Sequence, residues 1–216
     1  MEQTTHEFKY QKHSEKQYTF ILSVAENLFI ERGIDKVNIA DITEECGIMR
    51  STFYRYFKNK EQILWHIMRR NTVSFSDKLA DRFKLNGGTT YDRYKILIDI
   101  IYEVFVNNPS IYSFMDLFNE TYQYVTSGND TTIYDEVYKT TDFRSGDTVR
   151  FLTENFHDGS VRADLDPKIT AVTFTYSAIS IAVGMTKQIK TLPNKYGVSA
   201  EQVVRISLNA LLSELA

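Results

Sequence analysis

The chain has 216 residues, of which 43 % are hydrophobic, and a formal net charge of −3 at pH 7. This length fits one or two compact units and excludes a large multidomain enzyme, while the apolar content is too high for a disordered protein. With three prolines and nine glycines, an all-β protein built from many short strands and turns is also excluded, and helices are favoured.

The N-terminal part of the chain predicts short, closely spaced helices. In residues 15–32, apolar side chains recur at spacings of three and four, which predicts one face of a helix that stops at Gly33. Asn38 stands where an N-cap is expected, ahead of a helix of about two turns. Gly47 interrupts this second helix.

A further short helix is predicted over residues 50–57, with Phe53 and Phe57 together on its inner side. Lys60 then begins a long helix that is predicted to run to Phe83. Two short helices joined around a glycine after a longer one form a tight supersecondary unit.

Beyond a loop at residues 86–88, the sequence again predicts helices. A proline disfavours helix in the residue before it, so Asn108-Pro109 divides two of them. A loop is predicted at 127–132, and the helices are expected at 91–106, 110–125, 135–156 with an interruption near 145–146, 166–189, and from Ser199 onward.

The segment from Asp166 to about Ile189 allows two interpretations. Alternating apolar residues between Val172 and Val183 are typical of a strand, but the run is far longer than an ordinary strand. We predict a helix that begins at Asp166-Pro167, an N-cap aspartate with proline at the first helical position. Its small residues would allow another helix to approach closely: Ala178, Ser180, Ala182 and Gly184.

The charge is distributed unevenly along the chain. Residues 1–70 hold 11 basic and 10 acidic residues, whereas the remainder holds 14 basic and 18 acidic residues. The segment from Arg50 to Lys60 carries four positive charges, no acid and two tyrosines. On a helical wheel, Phe53 and Phe57 occupy one side and the basic residues another.

This basic segment has two interpretations. A positively charged helix presented after a short turn suits the major groove of DNA, where arginine reaches base edges and lysine holds phosphates. The alternative is an ordinary solvated face, because a basic patch is only an electrostatic footprint.

The stretch from Val37 to Leu64 resembles the helix-turn-helix signature of the tetracycline-repressor (TetR) family of bacterial regulators. The resemblance covers about 50 contiguous residues and ends in a Tyr-x-x-Phe-x-x-Lys-Glu-x-x-Leu pattern, here Tyr54, Phe57, Lys60, Glu61 and Leu64. It implies an all-α fold with an N-terminal three-helix helix-turn-helix domain and a larger C-terminal helical domain for ligand binding and dimerisation.

The resemblance also implies roles for single residues. Arg50, Ser51 and Thr52 would read bases from the start of the recognition helix. Phosphate or backbone contacts would come from Asn38, Tyr54, Arg55, Tyr56, Lys58 and Lys60, the last helped by the helix dipole.

Two residues depart from the family pattern. Met49 replaces a common serine or threonine N-cap, and Cys46 stands where alanine is common. We interpret Cys46 as a packing residue, with a redox sensor as the alternative.

Nineteen of the 29 aromatic residues lie beyond residue 66. They could form an ordinary core. In a protein that resembles this family they would instead line an effector pocket suited to a flat, apolar or cationic molecule. The residues that we expect there are Tyr102, Phe105, Phe114, Phe118, Tyr122, Phe151 and Phe174.

Two carboxylate pairs at i, i+4 spacing, Asp99 with Glu103 and Asp116 with Glu120, could in principle hold a metal ion. Neither has a histidine at the spacing of a bundle metal site, so a solvated, charge-balanced face is favoured. The sequence predicts no metal site, no cofactor and no catalytic set.

The sequence therefore predicts a regulator with a DNA-binding domain at residues 1–66 and an effector-binding and dimerisation domain at 67–216. We expect a homodimer, paired through its last two helices, that represses by binding double-stranded operator DNA and leaves it when a small apolar or aromatic effector binds. The long fourth helix would act as the lever. Rival interpretations are an all-α small-molecule enzyme and a helical protein-interaction adaptor.

The expected location is the cytoplasm. Residues 1–14 are polar and lack the apolar stretch of a signal peptide, and no run of 18 uninterrupted apolar residues occurs, so we expect no membrane partner. The single cysteine cannot form an internal disulfide, which fits a reducing compartment.

Overall fold

The computed structural model of this protein describes the backbone of residues 2–85, 88–122 and 145–216. Every secondary-structure element in these ranges is a helix, which confirms the all-α prediction. The helices are α1 (Glu2–Arg32), α2 (Ile39–Glu45), α3 (Arg50–Tyr54), α4 (Lys60–Leu85), α5 (Thr90–Asn107), α6 (Ser110–Tyr122), α7 (Ser145–Thr153), α8 (Pro167–Thr186), α9 (Thr191–Tyr196) and α10 (Ala200–Ser213).

The chain divides into two compact units. The first contains the residues up to Arg70 and residues 117–122 of α6, and the second contains Asn71–Asp116 and the described residues from 145 onward. The boundary expected after residue 66 stays a prediction.

The core of the first unit is built from the face of α1 that the apolar spacing predicted. On this face Tyr18 is half-buried, while Ile21, Leu22, Ala25, Leu28 and Phe29 are buried. The next three helices complete the core with Ile42, Phe53, Ile63 and Leu64. Burial of these side chains stabilises helices that are too short to persist alone in water.

The core of the second unit lies where α5 packs against α7, α8 and α10. Its buried side chains include Leu97, Ile101, Phe174, Val204 and Leu208. On α8, Ala171, Ala178 and Ala182 are fully buried, so small side chains face the neighbouring helices as the sequence predicted. Ser180 and Gly184, which were expected to share that role, are exposed instead.

Two helix boundaries in the first unit differ from the predictions. Helix α1 begins at Glu2 rather than near residue 15, because no proline or glycine interrupts the polar stretch and apolar periodicity cannot detect a polar helix. Helix α3 ends at Tyr54 rather than at Phe57. The backbone tightens there, since the Tyr56 N–H donates to the carbonyl of Phe53, three residues back.

In the second unit, α8 confirms the choice of helix over strand. The carboxylate of Asp166 caps it by accepting from the Ile169 N–H at 2.8 Å. The capping box predicted at Ser199 is also present, with Gln202 as its partner. Helix α9 was not predicted. Its sequence contains Pro193, which a helix tolerates in its first turn, where no backbone N–H is needed.

Some predictions fall outside the described residues. They are the loop at 127–132, the end of the helix expected at 110–125, most of the loop at 86–88, and the first part of the helix expected at 135–156. The interruption predicted near residues 145–146 coincides with the start of α7 at Ser145.

Helix α8 has an unusually apolar surface. Ile169, Val172 and Tyr176 are exposed, and no charged residue lies between Lys168 and Lys187. By length and composition this helix could cross a membrane, although 22 % of its apolar window is buried inside the chain. Such an apolar helix is weak evidence for a membrane span and equally fits a helix that another protein surface covers.

A carboxylate in the second unit fastens the loop after α7 to the start of α5. Asp158 accepts from the Thr90 N–H at 2.6 Å, and from the N–H and the hydroxyl of Ser160 at 2.9 and 2.6 Å. The hydrogen bonds from Ser160 and then from Thr90 hold the pKa of this carboxyl well below its usual range.

We predict that Asp158→Asn lowers the free energy of unfolding at pH 7 by about 1 kcal/mol. Because the folded-state pKa lies below the unfolded value of roughly 3.9, the stabilisation is complete above that pH and disappears as the pH falls through the folded pKa. The difference between variant and wild type should therefore shrink below pH 4 in urea unfolding experiments. Asp81→Asn, at an exposed carboxylate on α4, is the control and should change neither value; an equal loss for both variants would contradict this assignment.

Candidate DNA-binding surface

Helix α2 begins at a capping box. The side-chain oxygen of Asn38 accepts from the N–H groups of Ala40 and Asp41 at 2.7 and 3.1 Å, and the Asp41 carboxylate accepts from the Asn38 N–H at 2.7 Å. Asn38 is exposed. The side-chain oxygen of Asn38 is occupied by the cap, so the NH₂ group of Asn38 is the part that could reach a phosphate.

The turn between α2 and α3 is closed by backbone bonds and one glycine. Gly47 has a φ of 63°, in the left-handed region that favours glycine, and the Ile48 N–H donates to the Thr43 carbonyl at 3.0 Å. Met49 follows as the N-cap of α3 without any side-chain cap and is 77 % exposed. Helix α3 therefore begins at Arg50 as predicted, although Met49 departs from the family pattern.

Helix α3 separates an anchoring side from an exposed side. Phe53 is fully buried and its ring contacts Phe57, with a centroid distance of 5.3 Å. The exposed residues, together called the basic surface, are Arg50, Ser51, Tyr54, Arg55 and Lys58, while Thr52 is half-buried. The sequence placed these two sides correctly.

Tyr56 points toward α1 rather than wholly outward. Its hydroxyl donates to the side-chain oxygen of Gln17 at 3.0 Å and lies 3.2 Å from the Ser14 hydroxyl. The side chain is half-buried, so it fastens the segment after α3 to α1. Sequence reasoning did not find this link, because the partners are about 40 residues away along the chain.

Lys60 links the start of α4 to the connection between α1 and α2. Its ammonium group donates to the carbonyls of Ile34 at 2.9 Å and Val37 at 3.1 Å, in the connection between α1 and α2. An ammonium group has three N–H donors, so one remains for a phosphate. Lys60 therefore holds the start of α4 in place as well as carrying charge.

Sequence reasoning also missed an aromatic cluster behind this surface. The Tyr18 hydroxyl lies 2.9 Å from Nδ1 of His66, and the Tyr18 ring stacks on Phe57 at 5.5 Å. Burial, and then the charge of Arg69, lowers the pKa of His66. No local signal in the sequence links α1 to α4 in this way.

Cys46 lies at the end of α2 and is half-buried. Burial, and then the charge of Glu45, raises the pKa of its thiol to about 11. The thiol therefore stays protonated near neutral pH, which supports packing rather than redox sensing.

Comparison with known proteins assigns the family. Residues 21–67 match the family model described as bacterial regulatory proteins, tetR family. The match includes α2, α3 and the start of α4, which carry the basic surface and its anchors. The N-terminal part of the chain therefore carries the helix-turn-helix of the tetR family of transcriptional regulators.

Curated relatives are also regulators. An HTH-type transcriptional regulator of Staphylococcus aureus (strain bovine RF122 / ET3-1) is 24 % identical over 136 residues, which is 62 % of this chain and 72 % of the relative. The HTH-type transcriptional repressor KstR2 of Rhodococcus jostii (strain RHA1) is 24 % identical over 151 residues, 70 % of this chain and 71 % of the relative.

Solved structures share the fold over nearly the whole chain. The fatty acid degradation regulator FadR of Bacillus halodurans has a TM-score of 0.69 at 18 % identity and covers 91 % of this chain and 94 % of its own. FadR of Bacillus subtilis, solved with stearoyl-CoA, has a TM-score of 0.66 at 17 % identity, covering 92 % and 100 %. AibR, solved with isovaleryl coenzyme A and operator DNA, has a TM-score of 0.64 at 18 % identity, covering 93 % and 100 %.

The aromatic residues expected to bind an effector are divided between the two units, and their role stays a prediction. Phe118 and Tyr122 lie in the first unit, where their rings contact Trp65 at centroid distances of 4.8 and 5.3 Å. The other five belong to the second unit: Tyr102, Phe105, Phe114, Phe151 and Phe174.

Those five have different surroundings. Phe174 contacts the ring of Tyr94 at 4.7 Å, and Phe151 stacks on Phe83. The Arg205 guanidinium lies 3.7 Å from the ring centroid of Tyr102, so one face of that ring is already covered by a cation. Phe105 and Phe114 are buried.

The carboxylates that could have held a metal ion are mostly paired with cations. Asp99 accepts from Lys95 at 2.7 Å and from Arg205 at 2.8 Å. Partial burial acts to raise the pKa of Asp99, but these two hydrogen bonds outweigh it and the pKa is lowered. Glu103 pairs with Arg82 and Lys78, and Asp116 pairs with Lys187. The contacts support the charge-balanced interpretation, and the described residues contain no group of three or more potential metal ligands.

We predict that Lys60→Ala lowers the free energy of unfolding by about 1–3 kcal/mol, because two backbone carbonyls lose a charged donor. Lys58→Ala is the matched control, since Lys58 is exposed and its ammonium group has no partner among the described residues. That variant should stay within about 0.5 kcal/mol of wild type. Urea unfolding measures both, and equal stabilities for the two variants would contradict a structural role for Lys60.

Proposed function

We propose that this chain is a homodimeric repressor that binds a near-palindromic operator through two copies of α3 and is released by a small apolar effector. It would act in the cytoplasm, where its operator DNA is. The observation that carries the proposal is the basic surface: exposed cations on α3 and in the residues just after it, held in place by the buried Phe53 and Phe57.

The basic surface divides naturally into base-reading and phosphate-binding groups. Arg50 and Ser51 lie in the exposed first turn of α3, where a recognition helix contacts base edges, and Thr52 follows them. Arginine binds guanine through two parallel hydrogen bonds, so Arg50 would contribute most to sequence preference. Tyr54, Arg55 and Lys58 would bind the backbone, since lysine and tyrosine commonly donate to phosphates.

Asn38, Tyr56 and Lys60 differ from these residues because each already makes a bond within the first unit. Asn38 would offer its NH₂ group to a phosphate, and Lys60 its remaining N–H. The Tyr56 hydroxyl donates its one proton to Gln17, so it could bind a phosphate only by giving up that bond. We therefore assign these three residues mainly to positioning.

A second copy of this chain would cover the apolar surface of α8. Exposed apolar side chains occur on both helices expected in the interface, with Tyr176 of α8 72 % exposed and Ile206 of α10 69 % exposed. Contiguous apolar surface of this kind marks an interaction site, and a two-fold symmetric pair buries the same patch on both partners. Such a dimer would present two recognition helices about 34–36 Å apart to successive major grooves.

The effector would bind in the second unit, which is rich in buried aromatic rings. FadR of Bacillus subtilis and AibR, which share this fold, were solved with stearoyl-CoA and isovaleryl coenzyme A. An acyl-CoA thioester is therefore a reasonable first compound for this chain. Release requires that the effector binds one conformation more tightly than the other, because equal affinity for both would shift nothing.

Arg50→Ala should reduce the preference for the operator over unrelated DNA by about 1–3 kcal/mol, because a base contact is lost. Lys58→Ala should instead weaken binding to all sequences and lower the slope of log K against log salt by about one. The measurement is fluorescence anisotropy with DNA from upstream of the protein's own gene, at several salt concentrations.

Lys84→Ala removes an exposed positive charge from the second unit and is the control, with no expected change. If the wild-type protein shows no salt-sensitive, sequence-preferring binding to DNA, the proposal of a DNA-binding repressor is refuted. The adaptor or enzyme interpretation is then favoured. Equal effects of Arg50→Ala and Lys58→Ala on every sequence would refute the division of roles.

Ile206→Lys should weaken the dimer by about 2 kcal/mol or more, roughly a 30-fold rise in the dissociation constant, because a charge would be buried at the centre of the interface. Val106→Lys makes the same change at a site on α5 that is 45 % exposed, and it should leave the dimer intact. Sedimentation equilibrium measures both, with circular dichroism to check that helices are retained. A dimer that tolerates Ile206→Lys as well as Val106→Lys would place the interface elsewhere.

A further inference from the structure

Two buried hydroxyl groups in the second unit have no hydrogen-bond partner among the described residues. They are the phenol oxygen of Tyr94 on α5 and the side-chain oxygen of Thr175 on α8. Leaving such a group unsatisfied destabilises a protein, and native proteins rarely do so. The two groups therefore need an explanation.

Comparable residues in this chain do find partners. Tyr112 is as deeply buried as Tyr94, yet its hydroxyl donates to the Ile101 carbonyl at 3.0 Å. Helical threonines commonly donate to a carbonyl one turn earlier, as Thr153 and Thr186 do at 2.9 and 2.7 Å. Thr175 could make that local bond and does not. Arg93 Nε also lacks a partner, although another nitrogen of that guanidinium donates to Thr90 and Glu154. Among the buried hydroxyls of the described residues, the unsatisfied ones are those of Tyr94 and Thr175.

The two hydroxyls belong to helices that pack against each other. The ring of Tyr94 contacts Phe174, the residue before Thr175, edge to face at a centroid distance of 4.7 Å. Phe156 lies 6.3 Å from the same ring. Tyr94 is 0 % exposed, so bulk water cannot supply an acceptor. A polar partner for these hydroxyls would sit among aromatic rings.

The chemistry of the two groups limits what that partner can be. Burial raises the pKa of Tyr94, so the phenol stays protonated and remains a donor. A threonine hydroxyl can donate or accept. A carbonyl oxygen has two lone pairs and can accept from both a phenol and a threonine hydroxyl, and the rings beside Tyr94 favour a molecule that is otherwise apolar.

We propose that Tyr94 and Thr175 form the polar anchor of the effector site and hydrogen-bond a carbonyl oxygen of an otherwise apolar ligand, such as a ketone, ester or thioester. This inference rests on the proposed ligand-responsive function and names the chemical group that the ligand must carry. The expected effector site then contains two polar residues in addition to the aromatic residues, and the sequence did not reveal these two.

The first experiment measures stability without any ligand. Removing an unsatisfied hydroxyl should not destabilise the protein, so Tyr94→Phe and Thr175→Val should unfold at the same temperature as wild type or higher. Tyr112→Phe is the matched control and should unfold at a lower temperature, because it loses a bond that is made in the ligand-free protein. If Tyr94→Phe lowers the unfolding temperature as much as Tyr112→Phe, its hydroxyl already has a partner such as a buried water, and the proposal is wrong.

The second experiment measures binding of prodan, a naphthalene ketone whose emission moves to longer wavelength when its carbonyl accepts a hydrogen bond. Wild type should bind it saturably. Tyr94→Phe and Thr175→Val should each weaken binding about fivefold to tenfold and move the bound emission to shorter wavelength, whereas Tyr112→Phe should change neither. No saturable binding to wild type, or binding that neither substitution alters, would overturn the proposal.

Prodan binding is measured in the absence of DNA, so its outcome is separate from operator binding. If the chain binds its operator specifically but neither substitution changes prodan binding, this inference is wrong and the regulatory function stands. If the chain shows no operator binding, the proposed regulatory function is wrong, whatever the result with prodan.

Discussion

Helix α3 has five residues, far fewer than an isolated helix needs to persist in water, so its conformation depends on the burial of Phe53 and Phe57. The exposed groups of the basic surface are held by that burial. Tyr56 and Lys60 add fixed points on either side, one on α1 and one on the connection between α1 and α2. The basic surface is rigid because residues that do not belong to it are packed or hydrogen-bonded.

This arrangement gives two residues a double role. The ammonium group of a lysine has three N–H donors, so it can satisfy backbone carbonyls and bind a phosphate at the same time. Lys60 uses two of its three donors within the protein. Asn38 likewise uses its oxygen for the cap and keeps its NH₂ group outward. Loss of affinity for DNA at either residue would therefore combine a lost contact with a loosened surface.

The second unit shows how one helix can meet two packing demands. The buried side of α8 carries alanines that allow α5 and α10 to approach, while its exposed side carries Ile169, Val172 and Tyr176. Because both sides are apolar, the helix has no amphipathic pattern, which is why its sequence resembles both a strand and a membrane span. Around it, the ionised side chains of Asp99, Glu103 and Asp116 are paired. The hydroxyls of Tyr94 and Thr175, which have no partner among the described residues, contrast with these paired carboxylates.

The sequence by itself determined the helices, the helix-turn-helix pattern, the apolar face of α1, the caps at Asn38, Asp166 and Ser199, and the two sides of α3, because each depends on residues a few positions apart. Only the tertiary structure decided the rest. It paired Tyr56 with Gln17, Lys60 with Ile34, and Tyr18 with His66, and it placed Phe118 beside Trp65. Such contacts join residues 26 or more positions apart, and whether a given side chain finds a partner across that distance is set by helix packing, which periodicity and spacing do not encode.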